Sequence, residues 1–252
     1  MGVNTNSIHN LEPQLAANRR FWSGWTGAEP HADFAIYRSE IPHPLFNGVL
    51  RVRDQSLDAA VAEAKERLAS TTWSWWVGAD SDEGTAEGLL ARGAQQIIDM
   101  PVMAIDVRAV ADAEVPADLK IVEVVGPDEM VGYVGAYAEP LGFGGDVHAQ
   151  AQRELAFDYP DVVRLAGVVD GRTVGTCTLS LGTEVGALYC IATHAGFRQR
   201  GVATALTREA LRITRETGRS VVTLQATSEG EPVYRKIGFE EVSRYRLYQF
   251  PA

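Results

Sequence analysis

The chain has 252 residues, 46% of them hydrophobic, and a formal net charge of -10. That length allows one large domain or two small ones with cores of their own. The negative charge repels nucleic-acid phosphates and anionic lipid, so neither is expected as the main partner, whereas a cationic molecule suits this field better. The N-terminal segment has no signal-like apolar run, and no apolar stretch reaches the roughly 18 residues that span a bilayer. These features predict a cytoplasmic protein.

Cysteines and histidines give no metal-binding pattern. Cys177 and Cys190 are the only cysteines, lie in apolar strand-like segments, and are expected to be buried and reduced. The five histidines are scattered without ligand spacing, so no metal site is predicted.

The first half of the chain alternates between strand and helix signals. After Asp54, apolar residues recur every three to four positions from Leu57 to Leu68, the pattern of an amphipathic helix. The predicted elements in chain order are strands at 34–38 and 48–53, that helix, a strand at 73–77, a helix at 83–92, and two strands at 95–98 and 102–107. Residues 108–118 have weak periodicity and are predicted to be a linker.

The second half repeats this alternation with clearer signals. Asp170-Gly171 marks a hairpin turn, and glycines or prolines bound most other elements. The predicted order is a strand at 121–125, helices at 127–138 and 147–157, strands at 163–169, 173–180 and 186–193, a helix at 202–216, a strand at 220–226, a helix at 232–237 and a last pair of strands.

The two halves end in the same order of elements, a strand, a helix, a glycine and two strands. This order suggests a duplication. We therefore predict two tandem units, one at residues 1–110 and one at residues 119–252.

The stretch from Leu188 to Phe239 is the most informative about chemistry. A strand runs into a glycine-containing loop, and an amphipathic helix begins at once. The first helical turn leaves backbone N–H groups unpaired, and Gly201 lets a diphosphate approach the backbone, with Arg198 and Arg200 beside it. An ordinary tight turn is the alternative interpretation. Neither a GxGxxG nor a GxxxxGK[ST] pattern is present, which disfavours a dinucleotide fold and a P-loop.

Two motifs about 30 residues apart raise the specificity. The loop Arg198-Gln199-Arg200-Gly201-Val202-Ala203 fits [RQ]-x-x-G-x-[GA], and Tyr234 to Phe239 fits Tyr-x-x-x-Gly-Phe. Together they resemble the GNAT N-acetyltransferase superfamily over residues 119–250. The resemblance implies an α/β (α+β) fold with a mixed central sheet flanked by helices, and acetyl-CoA as co-substrate.

The resemblance also implies where acetyl-CoA binds. The backbone at the end of the fourth strand would take the pantetheine arm, and the loop amides would take the pyrophosphate. Ser228 would contact the cofactor or, alternatively, cap the helix before Pro232. The expected cofactor-binding residues are Ile191, Ala192, Thr193, Arg198, Gln199, Arg200, Gly201, Val202, Ala203, Thr204 and Ser228.

Tyr234 matches the tyrosine that protonates the leaving thiolate in many family members; the alternative is a core aromatic. The implied mechanism is direct attack by a neutral amine on the thioester carbonyl, whose oxygen is polarised by a backbone N–H near Ala192. No covalent intermediate is needed, so Cys190 need not be a nucleophile. The base is left open. Glu184 lies just before the strand that holds a glutamate in some members, and a water-relayed base or an already deprotonated amine would serve as well.

The first half lacks the cofactor loop, since residues 51–57, where the loop would fall, contain no glycine. It also lacks the tyrosine, because Leu89 stands roughly where Tyr234 does in the second half. We expect a degenerate unit that does not bind CoA. The tryptophans at 73, 75 and 76 are expected in its core. Loop 140–146 either shapes the acceptor site or is a flexible connector, and Asp146 and Asp158 are candidates for binding a cationic acceptor.

The function expected from these features is an N-acetyltransferase that acts on a small-molecule amine. The alternative is a non-catalytic sensor that binds acetyl-CoA or CoA. If the protein is an enzyme, protein, peptide and antibiotic amines stay open as acceptors. A homodimer stays open as the oligomeric state.

Overall fold

The computed structural model describes residues 7–26, 28–39, 41–111, 115–156 and 159–251. The helices are α1 Leu11–Gly24, α2 Leu57–Arg67, α3 Thr85–Ala91, α4 Pro127–Ala138, α5 Val147–Ala156, α6 Val202–Glu216 and α7 Glu231–Ile237. The strands are β1 Phe34–Arg38, β2 Asn47–Val52, β3 Ser74–Val77, β4 Gln95–Asp106, β5 Lys120–Glu123, β6 Val162–Val169, β7 Arg172–Ser180, β8 Gly186–Thr193, β9 Val221–Gln225 and β10 Glu240–Gln249. In this part of the chain, no helix is both long and apolar enough to cross a membrane.

Most predicted elements are confirmed, and those at 34–38, 127–138, 186–193 and 202–216 have the predicted bounds. Phe157, the expected last residue of α5, lies outside the described residues, as do residues 112–114 of the expected linker.

The two pairs of strands predicted at the ends of the halves are wrong, because each pair is one long strand. β4 passes through Pro101 without a break. The Pro101 carbonyl accepts a hydrogen bond from Ala226 N–H, so the missing N–H of Pro101 lies on the same side of the strand. There β9 has already ended, since its last residue, Gln225, pairs with Val102. No ladder hydrogen bond is therefore lost at the proline.

Helix α1 was not predicted from the sequence. Its buried face carries the polar residues Gln14, Asn18 and Arg19 beside Leu15 and Trp22, which hides the apolar periodicity. Arg19 is 1% exposed and forms ion pairs with Asp80 and Glu12. The helix thus depends on specific polar partners that a hydrophobic pattern does not reveal.

All ten strands of the described residues form one sheet, in the order β1-β2-β3-β10-β4-β9-β8-β7-β6-β5. The last strand of the second half, β10, lies between β3 and β4 of the first half. In turn β4, from the first half, pairs with β9 of the second. Each half therefore completes its sheet with a strand of the other, and the predicted division into units at 1–110 and 119–252 crosses a shared sheet.

Helices cover both faces of this sheet. On one face, α6 and α7 pack on the strands of the second half and α2 and α3 on those of the first. On the opposite face, α1 lies over the middle of the sheet, and α4 and α5 lie over the second half. Trp75 and Trp76 are buried on opposite faces of β3, as expected for core residues.

A buried ion pair joins α5 to the sheet. Glu154 is 2% exposed, and its carboxylate accepts hydrogen bonds from Arg164 Nε at 3.0 Å and Tyr137 Oη at 2.8 Å. Arg164 also donates to the Glu154 carbonyl. Burial raises the pKa of Glu154, and the charge of Arg164 partly offsets this effect. The pair fixes α5, β6 and α4 relative to one another.

The strand exchange predicts that the second half does not fold alone. A fragment of residues 119–252 lacks β4, so β9 and β10 would each lose a neighbour and expose unpaired strand edges. We expect no cooperative thermal unfolding for this fragment, measured by circular dichroism. Co-expression with a fragment of residues 1–111 should restore it. Cooperative unfolding of the lone fragment would contradict the shared sheet.

Removing the partner of Glu154 should destabilise the protein in a pH-dependent way. Arg164→Met leaves a buried, unpaired carboxylate and should cost about 3 kcal/mol of unfolding free energy near neutral pH. The folded-state pKa of Glu154 then lies further above its unfolded value near 4.3, so stability falls as the pH rises from about 5 to about 8.

Urea unfolding at these two pH values measures the effect. Arg53→Met, which removes an exposed pair with Asp33, is the matched control and should change stability little at either pH. An equal loss at both pH values in Arg164→Met would contradict the buried-charge explanation.

Candidate functional site

The loop between β8 and α6 makes a turn that depends on glycine. After a short 3-10 turn at Ala195–Phe197, Gln199 has φ 62° and Gly201 has φ 81°, both in the left-handed region. Gly201 is the N-cap of α6, and a side chain there would meet only Pro116 within 4 Å. A cradle without a side chain therefore stands before the helix, open to a ligand.

Backbone donors converge at this turn. Ala205 N–H bonds to the Gly201 carbonyl at 2.9 Å, so the N–H groups of Val202, Ala203 and Thr204 precede the first helical hydrogen bond. The 15-residue helix adds partial positive charge at the same end. Gly175 allows α6 to pack this closely, because a Cβ there would lie 2.4 Å from Val202 Cγ1. The arrangement fits an anion such as a diphosphate.

Cationic side chains surround the loop. Arg198 and Arg200 are both exposed; Arg200 forms an ion pair with Asp118, and its guanidinium lies 4.9 Å from the Phe197 ring centroid. Arg172 and His194 lie near the loop as well, with Arg172 Nη2 2.7 Å from His194 Nε2. This pair was not predicted from the sequence, because the two residues are far apart along the chain. Positive charge at the turn thus comes from two separate segments.

Strand β8 carries a bulge beyond its middle. Thr178 pairs with Tyr189 and Thr176 with Ala192, so that Cys190 and Ile191 together face the single residue Cys177. Cys190 has φ 47°, which is strained for a residue with a side chain, and Thr176 Oγ1 holds its carbonyl at 2.7 Å.

Near this bulge, β8 and β9 separate. Their parallel pairing runs from Gly186–Val222 to Leu188–Leu224 and stops one residue before β9 ends at Gln225, whereas β8 continues to Thr193. Ile191 and Thr193 are half-buried and Ala192 is buried beside the gap. In the part of the chain that the structure describes, Thr193 Oγ1 and Gln225 Nε2 at the ends of the two strands are buried without a hydrogen-bond partner. A polar ligand at either strand end would supply the missing partner there.

Tyr234 lies on α7 in the same core cluster as Leu224 and Cys177, the residue opposite the bulge. Burial removes water from the phenol and raises its pKa. Among the described residues, no hydrogen bond to its hydroxyl is found. The phenol therefore stays protonated at neutral pH and retains an unused donor, while its ring also packs on Phe239 as a core aromatic would.

Two other candidate residues lie at the surface. Ser228 is exposed and is not the helix cap, since α7 begins after Gly230, whose N–H donates to Thr227 Oγ1. That alternative for Ser228 is wrong, and contact with the cofactor stays a prediction. Glu184 is exposed in the turn before β8, at the end opposite the bulge, which is far from where a base would act.

The residues considered for binding the acceptor have different surroundings. Asp146 caps α5 through the N–H of His148 at 2.8 Å, and Asp158 lies outside the described residues. In loop 140–146, Phe143 packs edge-on against Phe46 and His43 of the first half. This part of the loop is thus fixed by packing and is not a free connector.

Both cysteines are free thiols. Cys177 is buried, with its pKa raised to about 12, as expected. Cys190 is half-buried, which corrects the expectation that both would be buried. Burial also raises the pKa of Cys190, and the charge of Glu154 adds to this, so the thiol is a poor nucleophile at neutral pH.

The first half has a carboxylate at the position of the anion cradle. Between β2 and α2, Asp54 has φ 55°, and its N–H donates to Asp82 Oδ2 at 2.8 Å. Asp82 N–H in turn bonds the Val52 carbonyl at the end of β2. An aspartate of the chain itself thus takes one of the N–H donors of the corresponding turn.

Comparison with known proteins agrees with this geometry. Residues 140–239 match the family model described as the acetyltransferase (GNAT) family. A comparison with curated protein sequences gave no match.

Solved structures with similar folds include a GCN5-related N-acetyltransferase from Kribbella flavida, with a TM-score of 0.71, 16% identity and 95% of each chain covered. One from Sphaerobacter thermophilus has a TM-score of 0.62 and 20% identity over 76% of this chain and 65% of the other. A tandem GNAT protein from the clavulanic acid biosynthesis pathway has a TM-score of 0.61 and 17% identity, and covers 85% of this chain and 78% of its own.

At these low identities, the solved structures show a similar fold and nothing further. The family match covers the segment that contains the bulge, the glycine turn and Tyr234. Residues 140–239 therefore resemble the acetyltransferase (GNAT) family, and they lie in a mixed sheet whose fold is similar to that of GNAT structures over nearly the whole chain.

Proposed function

We propose that this protein is an N-acetyltransferase that moves the acetyl group of acetyl-CoA to the amine of a small molecule by direct attack. The observation that carries the proposal is the meeting of three features at one end of β8: the glycine turn before α6, the gap between β8 and β9, and the unused phenol of Tyr234. Cofactor-binding and catalytic roles of individual residues are part of this proposal.

Each part of acetyl-CoA has a matching surface. The N–H groups of the turn, with Arg198 and Arg200, suit the pyrophosphate. The free edge of residues 191–193 suits the amides of the pantetheine arm, with Thr193 Oγ1 and Gln225 Nε2 available as further polar contacts. A thioester lying along this edge would be next to the bulge. Bound there, acetyl-CoA supplies the activated acyl group.

The protein's own groups would then act on the charges of the reaction. The amine nitrogen attacks the carbonyl carbon, the carbon–sulfur bond breaks, and Tyr234 gives its proton to the leaving sulfur. A backbone N–H near Ala192 stabilises the developing charge on the carbonyl oxygen. The amine loses its proton to water or arrives without it, because β8 carries no carboxylate between Gly186 and Thr193. The raised pKa of Cys190 favours direct attack over an acyl-enzyme.

A non-catalytic sensor of acetyl-CoA or CoA is the second candidate. The observation that favours it is the absence of a carboxylate in β8, together with the full engagement of Glu154 by Arg164 and Tyr137. Release of CoA thiol from acetyl-CoA, followed over a panel of amines, separates the two. Tight binding of acetyl-CoA with no amine-dependent thiol release would favour the sensor.

We also propose that the first half does not bind CoA, because the Asp82 carboxylate holds a donor of its turn and repels phosphate. The cytoplasmic location and the homodimer stay predictions from the sequence.

Gly201→Val should abolish binding of acetyl-CoA while the protein stays folded. The valine side chain would occupy the cradle, so we expect the dissociation constant to rise by more than about tenfold. Gly218→Val is a matched control, because Gly218 also has φ 81°, lies at the other end of α6, and has nothing within 4 Å of its Cβ position. Both variants should lose a similar amount of stability, about 1–3 kcal/mol.

Isothermal titration calorimetry measures this effect together with the stoichiometry. The expected result is one acetyl-CoA per chain, retained in Gly218→Val and lost in Gly201→Val. A second site that survives in Gly201→Val would contradict the proposed inactivity of the first half.

The rate should rise with pH and keep its high value to about pH 10, because deprotonation activates the amine while burial keeps Tyr234 protonated. Tyr234→Phe should lower kcat about 10- to 100-fold with a smaller change in acetyl-CoA affinity. Steady-state pH profiles of both proteins test this. A fall in kcat between about pH 8 and pH 9 in the unmodified protein alone would mean that Tyr234 ionises there, against the raised pKa.

A further inference from the structure

Half-buried aromatic rings follow the line where the two halves meet, on the sheet face opposite α6 and α7. We name this group the aromatic seam, and its members are Trp25, His43, Phe143 and Tyr159. Phe143 comes from the second half and lies 4.8 Å from the His43 ring and 4.5 Å from the Phe46 ring, which belong to the first half. Trp25 packs 5.4 Å from the same Phe46.

The seam leads to the bulge in β8. Phe143 and Cys190 both pack against the core under α1 and against the core under α4 and α5, so they lie where these two cores meet. Beside them, Tyr189 stacks on Phe21 of α1 at 3.6 Å. Half-buried Cys190 is thus at the inner end of an aromatic surface that reaches the outside of the protein.

The other face of the bulge is occupied. Leu188 and Ile191 point into the core under α6, which also holds Tyr234, and the glycine turn lies on that side. A thioester held from that side leaves its carbonyl open to attack from the face of the aromatic seam. The amine must therefore pass along the seam.

The rings of the seam carry no charge. Burial lowers the pKa of His43, so its ring is neutral at pH 7. Arg20 and Asp161 form an ion pair at 2.8 Å, and the Arg20 guanidinium lies over the Tyr159 ring. Asp146 is engaged as a helix cap. A surface of this kind favours a flat apolar molecule and offers little to a molecule with several positive charges.

We infer that the acceptor is a primary amine with an aromatic or apolar body, held along the aromatic seam with Phe143 as the specificity-determining residue. This inference rests on the proposed function and narrows its acceptor class. It differs from what the net charge of -10 suggests, because the acceptor meets the local lining of the site and not the average field. It also gives the first half a role in acceptor binding, through His43 and through the buried Phe46 that supports Phe143.

The experiment measures CoA thiol release with 2-phenylethylamine, tryptamine, spermidine and lysine as acceptors, each against an amine-free control. We expect kcat/KM for the two aromatic amines to exceed that for spermidine and lysine by about tenfold or more. Phe143→Ala should lower kcat/KM for 2-phenylethylamine by about tenfold, mainly through KM, and leave the acetyl-CoA dissociation constant within about twofold. Phe143→Leu, which keeps apolar bulk, should recover part of the loss.

Two variants serve as controls. Phe250→Ala removes a half-buried ring that packs on Trp73, far from the seam, and should leave amine kinetics unchanged. Glu139→Gln removes an exposed carboxylate at the end of α4, next to loop 140–146, and should also have no effect if recognition is apolar.

The outcomes separate the inference from the proposed function. Preference for spermidine or lysine, or a loss of amine activity in Glu139→Gln without one in Phe143→Ala, would overturn the inference while amine-dependent thiol release still supported an acetyltransferase. Absence of thiol release with every amine would contradict the proposed function and the inference with it.

Discussion

The separation of β8 from β9 after Leu188 is the constraint on which the candidate site depends. The parallel pairing of the two strands ends next to the bulge, and β8 continues past the end of β9. Among the described residues, Thr193 Oγ1 and Gln225 Nε2 at the two strand ends are buried without a hydrogen-bond partner. The glycine turn and the phenol of Tyr234 lie on the face of the sheet that α6 covers, and the aromatic seam lies on the opposite face.

Much of the second half could be predicted from its sequence, since glycine, proline and apolar periodicity are local signals. The turn at Gly201 and the helix after it follow from such signals, and their geometry has the expected form. Long-range features could not be predicted in this way. The contact of Phe143 with His43, the pairing of Arg172 with His194 and the buried partner of Glu154 join segments that nothing in a local pattern connects. Helix α1 was missed because its buried face is partly polar.

The two halves have a similar order of elements but differ at the turn before the helix. In the second half, the turn before the helix is open and positively charged. In the first half, the corresponding turn is closed by the Asp82 carboxylate, and the packing surface of the half faces the aromatic seam and α1. Under the proposed function, the first half forms one wall of the acceptor site.

The exchange of β4 and β10 also constrains how the protein is made. β10 begins at Glu240, after all the other helices and strands of the described residues, so the first half cannot close its sheet until the ribosome has made the second half. Until then, the edges of β3 and β4 that later flank β10 stay unpaired, and such edges are where growing chains associate wrongly. Pairing of such distant segments has a high entropic cost and is slow. Strand β10 thus joins both halves into one structure at the same moment.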